Sequence, residues 1–128
     1  MESDPVALVN QILTPTSGAT VTNQQINFDG CSGFFSSGSS VGYPGFPENG
    51  FVLSSGNAES LVPPNQFGST TQILGSGSDP DLAALIPGFD INDACVLEFD
   101  VQCPVGSLGF SDIFFDFTFG SDEYIEFS

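Results

Sequence analysis

Four carboxylates in two short acidic turns are the residues best suited to chemistry: Asp79 and Asp81 in Asp79-Pro80-Asp81-Leu82, and Asp122 and Glu123 in Ser121-Asp122-Glu123. Carboxylate oxygens are hard ligands, and calcium and magnesium take oxygen donors. Glu126 lies just beyond the second turn and adds to its charge. What the chain lacks sharpens this reading. Its 128 residues hold 16 Asp and Glu but no Lys, Arg or His, for a formal net charge of -16 at pH 7. No side chain can supply an ion pair, so each carboxylate is solvated, bonded to neutral donors, protonated, or paired with a cation from outside. Calcium is the cofactor this implies, with Asp79, Asp81, Asp122 and Glu123 as its ligands. The plainer alternative needs no metal. An Asp before Pro at a helix start caps backbone N–H groups, an Asp in the first turn meets the positive end of the helix dipole, and an acidic turn is simply solvated.

Other chemistry has less to work with. Glu98 and Asp100 form a carboxylate pair, which is all that glycoside hydrolysis requires, but nothing in the sequence fixes their separation. On the polar face of a strand they need partners only if that face is covered. Ser54, Ser55 and Ser121 have no His or Lys to act as base. The missing cations also exclude Schiff-base chemistry, an arginine clamp and phosphate recognition, and with them nucleic acid and anionic membrane surfaces. Zinc is disfavoured because there is neither a Cys-x-x-Cys pair nor a His. Asp90 and Asp93 precede a strand, where capping or an Asx turn is the expected role. The expectation is a protein that is not an enzyme.

The elements that position these residues are short. Hydrophobic residues make up 40% of the chain and include 14 Phe, enough for a core, while 15 Gly and 9 Pro mark many turns. That combination predicts one all-β domain over residues 1–128, sandwich-like or jelly-roll-like, with a short N-terminal helix and one further short helix. Asp4-Pro5 starts the first helix, over 4–13, with Val6, Leu8, Val9, Ile12 and Leu13 at helical spacing. Strands are predicted at 19–22 and 24–28, and a buried one at 51–55. The second helix runs from Asp81 to Ile86. Strict alternation predicts strands at 95–103 and 112–119. In the latter, Ile113, Phe115, Phe117 and Phe119 share the apolar face. A last segment runs from Tyr124 to Phe127. Phe34, Phe35, Tyr43, Phe46 and Phe67 fall in predicted loops, either as pegs closing the core or as a contact surface for a ligand.

Three cysteines leave at least one unpaired within the chain. Cys95 and Cys103 flank one strand and would lie about 26 Å apart, too far for a disulfide. Cys31 can therefore bridge to one of them but not both, and three buried thiols is the other reading. No Asn-x-Ser/Thr sequon occurs, and no apolar run is long enough for a membrane helix.

Three stretches in order resemble a known family: Phe51-Val52-Leu53-Ser54-Ser55-Gly56-Asn57-Ala58; Asp79-Pro80-Asp81-Leu82; and a last block holding Asn92-Asp93-Ala94-Cys95-Val96-Leu97-Glu98-Phe99-Asp100 and Phe117-Thr118-Phe119-Gly120-Ser121-Asp122-Glu123-Tyr124-Ile125-Glu126-Phe127. Together they resemble the choice-of-anchor L domain, found in secreted and cell-surface proteins. The resemblance covers roughly residues 5–127. Asp122 stands where the family usually has Glu, and family members continue past this motif. The resemblance implies an extracellular or cell-surface location and a structural or adhesive role without catalysis. Calcium binding, a strand-completing partner chain or self-association into a layer or fibre follow as expectations. A carbohydrate-binding module using the Tyr43/Phe46 loop is the alternative. Acidity alone also fits a salt-adapted organism.

Overall fold

The computed structural model describes residues 3–13, 19–42, 44–62, 72–103 and 116–120. Helix α1 (Pro5–Ile12) begins where the sequence predicts it. Asp4 is the N-cap, its side chain accepting the Val6 N–H at 3.0 Å, and Pro5 stands where a missing N–H costs nothing. The helix turns Leu8 and Val9 inward to complete burial, while Val6 remains 45% exposed. Two adjacent residues carry the packing, with Ile12 and Leu13 half-buried beside them.

Four described strands form two antiparallel ribbons. Strand β1 (Thr20–Ile26) pairs with β4 (Leu97–Gln102), from Thr20 opposite Gln102 to Ile26 opposite Leu97. Strand β2 (Ser32–Phe35) pairs with β3 (Gly50–Leu53), from Ser32 opposite Leu53 to Phe35 opposite Gly50. Helix α2 (Pro80–Leu85) precedes β4 and has no buried residue. The β-rich class with two short helices is thus as expected, with two strands in each sheet among the described residues. Helix α1 touches β1 of one ribbon and β3 of the other. The Cys31–Cys95 disulfide ties the start of β2 to the approach to β4 across a sequence separation of 64.

Several details depart from the sequence expectation. The two predicted strands at 19–22 and 24–28 are one strand with a bulge: Thr22 pairs with Asp100 and Gln25 with Glu98, so β1 carries one extra residue. Asn23 sits in the bulge at φ 56°, a left-handed conformation Asn adopts more readily than most residues. Phe34 and Phe35 lie in β2, not in a loop. Strand β3 is half-buried rather than buried, and Leu53 is exposed; among the described residues β3 has one partner strand, β2, and is touched by α1. Residues 116–120 are not a strand, and Phe117 and Phe119 are 81% and 84% exposed. Alternation marks one face of a segment as apolar; it does not provide the surface that must close over that face. Residues 112–115, Tyr124 to Phe127, Tyr43 and Phe67 lie outside the described residues.

Candidate functional site

Strand β4 carries its alternation into space. Leu97, Phe99 and Val101 are half-buried, while Glu98, Asp100 and Gln102 face solvent. Opposite them on β1 stand Gln25, Thr22 and Thr20, also exposed. The bulge gives this face a specific contact, in which Asn23 Nδ2 donates to Asp100 Oδ2 at 2.5 Å. Asn23, Gln25, Glu98 and Asp100, with the neighbouring Leu97 and Phe99, line an open groove. Both carboxylates are therefore on the exposed face and need no buried partner.

The helix-start aspartates take the capping role. Asp79 is extended, and its Oδ1 accepts the N–H of Asp81 at 3.0 Å and of Leu82 at 2.9 Å. Asp81 lies in the first turn of α2, at the positive end of the helix dipole. Asp122 and Glu123, the other half of the expected calcium site, lie outside the described residues. Among the described residues no three Asp, Glu, His or Cys side chains gather closely enough to hold a metal ion. Asp79 and Asp81 alone do not make a metal centre, and one oxygen of Asp79 is committed to the cap.

Asp93 adopts φ 54°, and its Oδ1 accepts the Gly75 N–H at 2.7 Å, closing the loop ahead of β4. Asn27 is a contact the sequence reading missed. Its Nδ2 donates to the Ala94 carbonyl at 2.8 Å and its Oδ1 accepts the Val96 N–H at 2.8 Å, so the side chain extends the β1–β4 ladder toward Cys95. The available signal was an Asn directly after a strand, where its amide can stand in for a peptide group. Glu48 was missed as well. Its Oε2 accepts the Ser39 N–H at 3.1 Å, and the Ser39 side chain and then its backbone hold the Glu48 carboxyl below the usual 4.5. This contact ties Ser39 to Glu48, aided by Gly38 N–H donating to the Glu48 carbonyl at 2.9 Å. Phe46 packs on Phe35, their ring centroids 5.5 Å apart. The peg role expected of these aromatics holds for that pair, whereas Phe34 is 46% exposed.

The disulfide sits in a closely bonded corner. Cys31 is fully buried, and Ala94, directly before Cys95, is nearly so. Ser54 N–H donates to the Cys31 carbonyl at 2.8 Å, and Ala58 N–H to the Gly30 carbonyl at 2.9 Å, so this corner is stitched from both sides. Of the alternatives open in the sequence, Cys31 bridges to Cys95, and Cys103 is a free, exposed thiol.

The model of the choice-of-anchor L domain matches residues 1–128. The chain belongs to the choice-of-anchor L domain family. Membership makes this a domain of secreted or surface-associated proteins, in a family of surface-anchoring domains rather than enzymes. No curated protein and no solved structure matches it. Among the described residues no helix is long and apolar enough to cross a membrane.

Proposed function

We propose that this choice-of-anchor L domain is a non-enzymatic structural and adhesive element of an extracellular surface assembly. Divalent cations, calcium above all, bridge its acidic turns. The observation that carries the reading is the Cys31–Cys95 bond in a chain without a single cationic side chain. A buried disulfide in a small domain belongs to an oxidising compartment outside the cytosol. A net charge of -16 repels other copies of the chain, so assembly requires counter-charge from solution or from a partner. Millimolar divalent cations supply it, at Asp79 and Asp81 and at Asp122 and Glu123. A sugar platform on Tyr43 and Phe46 is less favoured, because Phe46 is already packed on Phe35.

Sedimentation velocity with and without millimolar calcium, at fixed ionic strength, tests this. Larger species that form with calcium and revert with chelator support an ion-bridged building block. A compact monomer in both conditions removes the assembly role and leaves the charge to solubility alone.

A further inference from the structure

We infer that the Cys31–Cys95 bond is an oxidation-dependent folding switch: the dithiol chain is not stably folded, and the domain closes only once the two thiols are oxidised. The inference stands on the geometry of the ribbons and holds whatever the domain does at a surface.

The first observation is where the bond lies. Among the described residues both ribbons touch α1, through β1 and β3, and the sulfur bridge joins them as well. The bridge is the covalent one, and it closes a loop spanning 64 positions. The second observation is how little else is buried among the described residues. The buried apolar residues described are Leu8, Val9, Cys31, Ala58 and Ala94, and Cys31, Ala58 and Ala94 belong to the disulfide corner. Meanwhile Ile73, Leu85 and Phe89 remain at least three-quarters exposed. The third observation is charge. Sixteen carboxylates with no opposing side chain favour expansion of the chain, and no internal ion pair between side chains can offset that.

Cross-linking a loop of this length shifts the folding equilibrium by about a thousandfold through the entropy it removes from the unfolded chain. That factor is comparable to the whole folding equilibrium of a marginal domain. Without it, the sparse burial among the described residues and the uniform negative charge leave the chain open.

The covalent step balances as thiol–disulfide exchange. The Cys31 and Cys95 thiols lose two protons and two electrons as their S–S bond forms. A protein or small-molecule disulfide accepts both and is released as two thiols. In a reducing cytosol the chain therefore stays unfolded and fit for export, and it folds where disulfide oxidants are present.

The test compares oxidised wild type, wild type in a phosphine reductant, the double substitution Cys31→Ala with Cys95→Ala, and Cys103→Ser as a control. Each is probed by far-ultraviolet circular dichroism in a urea titration and by the rate of cleavage with a Glu-specific protease. The expected result is a cooperative fold for oxidised wild type and Cys103→Ser. The reduced and double-substituted chains lose the folded far-ultraviolet signal and its cooperative urea transition, and are cut roughly a thousand times faster, as the open population rises. Reoxidation restores the reduced wild type. Reduced wild type keeps both native side chains, so its unfolding cannot be blamed on a cavity at Cys31. If it retains its signal and its cleavage rate changes less than tenfold, the switch is overturned.

Discussion

Replacing Leu8 with Ala probes the joint that holds α1 to both ribbons. Leu8 is fully buried, whereas Val6, two positions earlier on the same helix, is 45% exposed. The substitution removes three carbons, each worth about 0.8 kcal/mol of transfer free energy. The space left behind adds a cavity cost, which brings the loss to about 3 kcal/mol, inside the usual range for such changes. In a chain of 128 residues that corresponds to a fall of about 10 °C in melting temperature. Val6→Ala removes two carbons that are already half solvated, and its cost is below about 1 kcal/mol. Urea titration followed by far-ultraviolet circular dichroism measures both, at fixed salt because the charge of -16 makes stability depend on screening. An unchanged urea slope for both variants confirms that the midpoints report stability. Equal losses at the two positions, or a larger one at Val6, would refute the packing assigned to α1.

Gly38→Ala places a Cβ 1.9 Å from the Pro47 carbonyl oxygen, a backbone atom with little room to move, and is expected to cost about 1–3 kcal/mol in thermal unfolding. A wild-type melting temperature would mean that Gly38 does not lie against Pro47 and Glu48 as described. Asp79→Ala removes the cap of α2 at about 1 kcal/mol, and since α2 buries nothing the loss is local. Amide exchange at Asp81 and Leu82 should rise roughly fivefold with little change in global melting. A loss of protection seen only when calcium is present would instead make Asp79 a ligand. Glu48 titrates below 4.5 in the folded chain, so its stabilising contribution is complete above that value and is lost as pH falls through the lowered one. Glu48→Gln should flatten that part of the acid limb, and a carboxyl NMR titration of Glu48 at or above 4.5 would contradict the Ser39 contacts.

Helix starts and the alternating strand were the most legible parts of the sequence, for local reasons. Asp4-Pro5 and Asp79-Pro80 each combine a cap with a proline at the first helical position, and both helices begin there. The alternation from Leu97 to Gln102 depends on two-residue periodicity alone and reappears as half-buried and exposed faces. Long-range features were less legible. The bulge at Asn23 depends on the register with β4, so the sequence read there as two strands. Phe34 and Phe35 looked like loop residues because Gly and Ser surround them, yet pairing with Gly50 and Phe51 makes them a strand. In that pair the Phe35 ring lies over Gly50, where an added Cβ would come within 2.7 Å of it. Spacing excluded a Cys95–Cys103 bond but could not choose the partner of Cys31, because only the packing of the two ribbons decides it. At the candidate site, the carboxylate identities were legible, but the engagement of Asp79 Oδ1 as a cap is a matter of backbone geometry.

The most direct measurement of the central claim is disulfide mapping of the protein recovered from the outside of intact producing cells, with thiols blocked by alkylation at harvest. The chain offers trypsin no site, lacking Lys and Arg, but cleavage after Glu98 separates Cys95 from Cys103. The account predicts that the protein is found in the external fraction, with one linked peptide pair joining Cys31 to Cys95 and Cys103 outside that pair. Recovery from the cytosol with all three thiols alkylated would contradict it.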